Sequence, residues 1–298
     1  MNTPAKNELS ILIPTYNDVC TSLVEALCRQ AEPTGIRYEV IVADDGSTRR
    51  DVIEANRAIN AQPNCRYIER AENSGRAAIR NFLAQQARYH WLLFIDGDMM
   101  MAADDYLQRY LRCEATTVID GGVVIKGDAK QYAHNLRYLY EERAAQHHTS
   151  ERRQQKPYQD FHTANFLIRR DLMLAHPFDL RFRHYGYEDV LFGKTMQQNG
   201  IPLAHIDNPM SFEVFESNTH FIAKTEEGLR TLRQFSSELR GYNALLDTTQ
   251  RLKRYHVVLP LVRCWHRLFG AAERRNLTGC RPFLPLFQVY RLGYFLSL

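Results

Sequence analysis

LLFIDGDMM, residues 92–100, sets an apolar run directly against two carboxylates spaced one residue apart. Leu92 to Ile95 reads as a buried strand. Asp96-Gly97-Asp98 ends it, and methionines then resume. Burying charge costs free energy unless the charge is paired or given a cation. Standing alone, the stretch is a strand closing in an Asp-Gly turn. Its meaning depends on whether other strands of the chain end the same way.

Upstream, LSILIP (9–14), YEVIVA (38–43) and CRYIE (65–69) are β-rich runs, and HWLLFI (90–95) is the fourth. Helical spacing separates them: Val19, Leu23, Leu27 and Ala31 in steps of four, then a stretch through Val52 and Ile59. Residues 76–87 follow, with Ile79, Phe82, Leu83 and Gln86 on one face. Downstream come a helical pattern over 103–113 and TTVIDGGVVIK (116–126), a strand or pair of strands. Next is a polar segment, 141–157, with no core face, expected to be a mobile loop or solvated helix end. FHTANFLIRR (161–170) resumes strand character, and 171–182 reads as a short helix and loop. Thr219 to Leu246 reads as helix, with Phe221, Leu229, Leu232, Phe235 and Leu239 as its apolar positions. Strands that are nearly all apolar and alternate with helices predict an α/β fold, a central mostly parallel sheet flanked by helices.

In open parallel sheets, ligands bind beyond the carboxyl ends of the strands. Strand one is followed by Pro14-Thr15-Tyr16-Asn17-Asp18, strand two by Asp44-Asp45-Gly46-Ser47-Thr48, strand three by Glu72-Asn73-Ser74-Gly75-Arg76, and strand four by Asp96-Gly97-Asp98. One such cluster is a turn, and Ser47 in it is a candidate helix N-cap. Four on one rim make a site. A carboxylate there can accept from a nucleobase imide or from ribose hydroxyls. Gly75 permits close backbone approach, and Arg76 and Arg80 near a helix start could face phosphates. Alternate aspartates around Gly97 let one reach a hard divalent cation, Mn²⁺ or Mg²⁺, while the other turns to a sugar. A further cluster, Tyr185-Gly186-Tyr187-Glu188-Asp189, opens a helix with adjacent acids among aromatic side chains suited to stacking on a sugar. A carboxylate in such a pocket can serve as a general base.

Composition bounds the class. The chain has 298 residues, 45% hydrophobic and 24% charged, which fits a globular protein with a real core. Its six cysteines show neither a zinc pattern nor a disulfide framework, as expected in a reducing, cytoplasmic compartment. MNTPAKNELS lacks the layout of a signal peptide, and no apolar stretch is long enough to span a bilayer.

Taken in order, ILIPTYND, IVADDGST, NSGRAAIRN, FIDGD and GYED resemble the family-2 glycosyltransferases with a GT-A fold, over about residues 8–225. The resemblance implies a nucleotide-sugar donor, most often a UDP-sugar, a divalent metal, and inversion at the anomeric carbon. It implies that Pro14, Thr15 and Tyr16 line the base and ribose pocket, that Asp44, with Asp45 close by, holds the uracil edge, and that Gly75 and Arg76 flank the nucleotide. Asp96 would contact the ribose, Asp98 would ligate the metal, Asp189 would be the catalytic base, and Glu188 would help orient the acceptor. The acceptor would be a glycan or a lipid-linked molecule of cell-envelope polysaccharide or glycolipid assembly. One feature departs from the pattern. Many relatives carry a histidine soon after an Asn-Pro in this region, whereas Asn208-Pro209 is followed here by Met-Ser-Phe-Glu, with His205 and His220 offset. A third metal ligand is therefore unassigned.

The chain divides into a catalytic domain, 1–250, and a basic, aromatic C-terminal helical tail, 251–298. The tail holds nine Lys/Arg and one acid, so the net charge of +4 conceals a tail at +8 and a remainder at −4. LKRYHVVLPLVRCWHRLFGAAERR (252–275) has the make-up of an interfacial amphipathic helix interrupted by Pro260. This suggests peripheral contact with an anionic membrane surface at its inner face; the alternative is a helix pair packed on the catalytic domain. Nothing in the tail matches a nucleic-acid recognition motif. Two rivals share the fold's signals. A sugar nucleotidyltransferase would need a glycine-rich, basic loop after strand one, where Pro-Thr-Tyr-Asn stands instead. A non-catalytic nucleotide-sugar or glycan-binding module would have no need of both Asp98 and Asp189.

Overall fold

The computed structural model describes residues 6–146 and 148–298. The leader-free reading of the N-terminus falls partly on residues 1–5, and the polar middle segment includes His147; both lie outside the described residues.

The strands are β1 (Glu8–Thr15), β2 (Arg37–Asp44), β3 (Cys65–Glu69), β4 (Trp91–Ile95), β5 (Met100–Met101), β6 (Val118–Asp120), β7 (Val123–Ile125), β8 (Asn165–Arg169), β9 (Leu203–His205) and β10 (Met210–Phe212). The helices are α1 (Thr21–Ala31), α2 (Arg50–Arg57), α3 (Arg76–Gln86), α4 (Tyr106–Arg112), α5 (Leu136–Ala145) and α6 (Ser150–Gln155). They continue as α7 (Arg170–Ala175), α8 (Glu188–Gln198), α9 (Asn218–Gln234), α10 (Ala244–Leu252), α11 (Val258–Leu277) and α12 (Leu284–Ser297).

Seven strands form the central sheet in the order β3-β2-β1-β4-β8-β6-β9. Neighbours among β3, β2, β1 and β4 run parallel, β8 runs antiparallel to β4 and β6, and β6 and β9 are parallel. The strands are apolar at consecutive positions because both faces are covered. Ile11, Val40, Val42 and Leu93 pack on α1 through Leu23 and Leu27. Leu12, Ile41, Leu92 and Phe94 face the opposite way, against Ile79 and Leu83 of α3 and Phe166 of β8. Each such side chain contributes about 1.5–3 kcal/mol by leaving water.

The register aligns the strand ends. Thr15 pairs with Asp44 and Asp44 with Glu69, while the Gly97 N–H donates to the Pro14 carbonyl at 3.2 Å. The polar turns therefore emerge side by side on one rim.

Several expectations change. Residues 116–126 are two strands of different sheets, because the chain leaves β6 at Asp120 and β7 joins β10 and β5 in a separate three-stranded sheet. The face of α3 is set by Ala77, Ile79, Arg80, Leu83 and Ala84; Gln86 is exposed. The helix expected over 219–246 is interrupted, α9 ending at Gln234 and α10 beginning at Ala244.

The polar 141–157 segment has an anchor. Arg153 is only 4% exposed, and its Nη1 donates to Asp120 at 2.8 Å and lies 3.0 Å from His205 Nδ1. His205 is thereby tied into a structural cluster.

In the tail, α11 and α12 form a hairpin docked on α5 and α9. Leu277, Phe287 and Tyr290 pack with Leu136 of α5 and Ile222 of α9. Helix α10 precedes the hairpin, spanning Ala244–Leu252. Among the described residues, no helix is long and apolar enough to cross a membrane.

Candidate active site

The rim turns enclose a cleft of about 410 Å³. Pro14, Thr15 and Tyr16 line it from β1, Asp45 from β2, Gly75 and Arg76 from the start of α3, and Asp96 and Asp98 from β4. Eight of the residues anticipated from sequence thus share one cavity.

Asp44 does not line it. Its carboxylate is buried, accepting from the Ser47 N–H at 2.6 Å and from the Tyr67 hydroxyl at 2.5 Å. Ser47 does not cap α2 with its side chain; its hydroxyl accepts from the Asn17 N–H at 2.7 Å. Asp45 organises the next turn, accepting from the backbone N–H groups of Ser74 at 3.0 Å and Gly75 at 2.9 Å and pairing with Arg70 at 2.8 Å. Gly75 has φ +88°, and a Cβ there would meet the Arg183 carbonyl at 2.9 Å. The turn therefore requires glycine.

Arg80 is buried rather than solvated. It joins α3 to both acidic turns, bonding Asp96 and lying 3.6 Å from Glu188. Its guanidinium draws the Asp96-Gly97-Asp98 turn and the start of α8 together. Glu188 is consequently buried beneath the cleft, where desolvation and the adjacent Asp189 push its carboxyl pKa up. Tyr187, just before α8, holds a left-handed backbone conformation with φ 70°. An aromatic residue adopts this at a cost of about 1–2 kcal/mol, so the surrounding packing over-determines this turn.

Asp189 is half-buried and its Oδ2 lies 3.7 Å from His162 Nδ1. Burial would raise the Asp189 carboxyl, but the imidazole and the Val190 N–H outweigh it and hold the pKa below the usual range. Conversely, desolvation lowers His162, yet the contact with Asp189 prevails and brings it up to about 9. At neutral pH the pair is an imidazolium beside a carboxylate. The His162 backbone is itself fixed, its N–H donating to Asp120 at 3.0 Å.

Asp98 opens to the cleft, and among the described residues no hydrogen-bond donor occupies its carboxylate. Desolvation and the neighbouring Asp96 push its pKa up to about 6, with Arg76 opposing. A carboxylate with free oxygen donors and like-charged neighbours suits a hard divalent cation. Mg²⁺ and related ions commonly take one or two carboxylates and complete their shell with substrate phosphates. Among the described residues no group of three or more His, Cys, Asp or Glu side chains is arranged to hold a metal by itself.

Asp18, part of the first rim cluster, also lines the cleft, and sequence reasoning missed three contributors: Lys224 and Glu227 reach in from α9, and His162 flanks Asp189. The α9 pair lies far along the chain in a helix with an ordinary amphipathic pattern, and a lone histidine carries no spacing signal.

The family model for glycosyl transferase family 2 matches residues 10–175, more than half of the chain. The chain belongs to glycosyl transferase family 2. Within the family it is 31% identical to a chondroitin synthase of Escherichia coli over 133 residues, 44% of this chain and 18% of that protein. It is 26% identical to a hyaluronan synthase of Pasteurella multocida over 235 residues, 68% of this chain and 24% of that protein. These matches span less than a third of the relatives' lengths. A mannosyltransferase from Pyrobaculum calidifontis, solved with GDP-Man and Mn²⁺, superposes with TM-score 0.56 at 15% identity, covering 99% of this family-2 chain and 87% of that one. The fold is that of the GT-A glycosyltransferases.

Proposed function

We propose that this family-2 member is an inverting glycosyltransferase that moves a sugar from a nucleoside diphosphate, most simply a UDP-sugar, to a hydroxyl of a glycan or lipid-linked acceptor. Cell-envelope polysaccharide or glycolipid assembly on the inner face of the membrane is the setting that suits such an acceptor. The observation that carries this reading is the Arg80 tie, which brings the Asp98 turn and the Asp189 turn to one end of the sheet.

Pro14, Thr15 and Tyr16 form one wall for the base and ribose, and Asp45 shapes the Ser74-Gly75 turn that bears on the nucleotide. Arg76 from α3 and Lys224 from α9 supply positive charge toward the diphosphate. Asp98 would hold Mn²⁺ or Mg²⁺, which when bound neutralises charge on the departing diphosphate. Asp189 takes the proton of the acceptor hydroxyl. That oxygen bonds to the anomeric carbon as the bond to the diphosphate oxygen breaks, and the nucleoside diphosphate leaves. Base assistance of this kind contributes about 10²–10⁴-fold. One base facing one leaving group gives inversion without a covalent enzyme intermediate. Glu188 and Arg80 act beneath, positioning the two turns.

Incubation with a panel of UDP- and GDP-sugars and Mn²⁺ tests the reading. Donor hydrolysis or transfer that disappears in Asp98→Ala and Asp189→Asn supports it. Tight nucleotide-sugar binding without turnover, even with acceptor extracts, would instead indicate the non-catalytic module.

A further inference from the structure

The cysteines follow no framework spacing in sequence, yet the fold brings two of them into contact. Cys28 lies in the last turn of α1 and Cys65 opens β3, 37 residues further on. Their sulfurs stand 3.4 Å apart and share a hydrogen bond. Both are free thiols. Cys65 pairs with Val40 of β2, and Cys28, Tyr38, Val40 and Cys65 belong to one core cluster. Strand β3 runs to the rim at Glu69, so the pair lies at the end of that strand away from the cleft.

The two sulfurs are not equivalent. The hydrogen bond from Cys65 and a second from the Tyr38 hydroxyl outweigh burial and the nearby Glu32 and Glu25, and hold the Cys28 pKa down to about 7. Cys65 is pushed the other way by the same contact and by burial. Near neutrality one sulfur is therefore a nucleophile while its neighbour keeps a proton. A thiolate beside a resolving thiol is the arrangement that oxidation to a disulfide requires. Cys20 provides the contrast. It is fully buried, its Sγ meets only the carbonyls of Asp18 at 3.7 Å and Gly97 at 3.8 Å, and burial pushes its pKa up to about 12. Cys28 is 9% exposed and Cys65 8%, so an oxidant that reaches them must be small.

We propose that Cys28 and Cys65 form a reversible modification site, oxidised by hydrogen peroxide to a disulfide that fastens α1 to β3. The Cys28 thiolate attacks one peroxide oxygen, the O–O bond breaks, and hydroxide leaves. Cys28 is then a sulfenic acid, its sulfur oxidised and the peroxide reduced. Cys65 gives its proton to that hydroxide, and its sulfur bonds to Cys28 as the S–O bond breaks and a second hydroxide leaves. With the proton first lost by Cys28, the balance is two thiols and one peroxide giving one disulfide and two waters. A disulfide is about 2.0 Å long, so the sulfurs need to approach by about 1.4 Å, shared between two side chains.

The test uses the full chain, reduced and then exposed to hydrogen peroxide, with peptide mapping under non-reducing conditions. The expected product is a cross-linked peptide pair holding Cys28 and Cys65, short of two hydrogens and released by dithiothreitol, while Cys20 stays a thiol. The rate of bridging should climb as pH rises through about 7. Bridging should raise the melting temperature by about 5 °C, because the link restricts the unfolded chain. Cys65→Ser should stop at a sulfenic acid on Cys28, trapped by dimedone, without that rise. Peroxide that oxidises the exposed Cys264 and Cys280 but leaves Cys28 and Cys65 as thiols overturns the proposal. So does bridging of either one to another cysteine in preference to its neighbour, and a bridge that leaves the melting temperature unchanged overturns the fastening. Mapping of the parent chain decides the matter even if the serine variant fails to fold, and no readout depends on sugar transfer.

Discussion

His162 Nδ1 sits 3.7 Å from Asp189 Oδ2, and the two groups move each other's protonation in opposite directions. The imidazolium holds the Asp189 carboxyl ionised; in the proposed role of acceptor-side base it would also orient the carboxylate and moderate its basicity. NMR titration should find His162 near pKa 9, falling toward the ordinary histidine value in Asp189→Asn. In His162→Gln the carboxyl loses its cationic neighbour and its pKa rises. The acidic limb of the kcat/KM profile should therefore move to higher pH, and an unmoved limb would refute the coupling. For stability, Asp189's share is lost as pH falls through its depressed pKa, whereas His162's is lost as pH rises through about 9.

Arg80 is the buried joint between the two acidic turns. Arg80→Met should cost about 3–5 kcal/mol in urea unfolding, because it strands Asp96 and Glu188 without their cation. Burial already pushes the Glu188 carboxyl up against the opposing Arg80 charge, and removing that charge raises it further, so the deficit should shrink as pH is lowered. A deficit independent of pH would mean that lost packing, and not charge, accounts for the effect.

Much of this was legible in sequence for one reason: each strand that is buried on both faces must stop being apolar where it reaches the rim. That contrast marks LLFIDGD, IVADDGS and ILIPTYND without any alignment. Side-chain direction was not legible. Asp44 and Asp45 are adjacent and chemically identical, yet one turns inward to Tyr67 and the other toward the cleft. The polar 141–157 stretch concealed Arg153 because its partners, Asp120 and His205, come from strands distant in the chain. The antiparallel insertion of β8 between β4 and β6 likewise rests on pairings that no local period encodes.

The ionised Asp98 carboxylate costs the unliganded protein stability, and in the proposed reading a bound cation would offset that cost. Its pKa of about 6 lies above the unfolded value, so the unliganded protein should lose stability as pH rises from about 4 to 6. Asp98→Asn should raise the melting temperature of the unliganded protein at neutral pH, yet abolish the extra upshift that UDP with Mn²⁺ gives the parent. Turnover should fall by about 10²-fold or more, the scale seen when a preorganised charge-stabilising group is removed. A variant that still gains the full Mn²⁺-dependent upshift would remove Asp98 from the metal site.

Gly75 joins the cleft wall to α3 under two constraints at once. Its φ of +88° is disfavoured for any residue with a Cβ, and that Cβ would press on the Arg183 backbone carbonyl at 2.9 Å. The obstacle is main chain, so no side chain can swing away to relieve it. Gly75→Ala should therefore shift the turn and loosen the N–H bonds from Ser74 and Gly75 to Asp45. Because this turn lines the cleft, in the proposed reading the loss should fall chiefly on donor binding: KM for the nucleotide sugar should rise about tenfold or more, equivalent to about 1.4 kcal/mol, with kcat changed less. Steady-state kinetics alongside UDP titration would check this. An unchanged UDP affinity would show that the turn bends without consequence for the nucleotide.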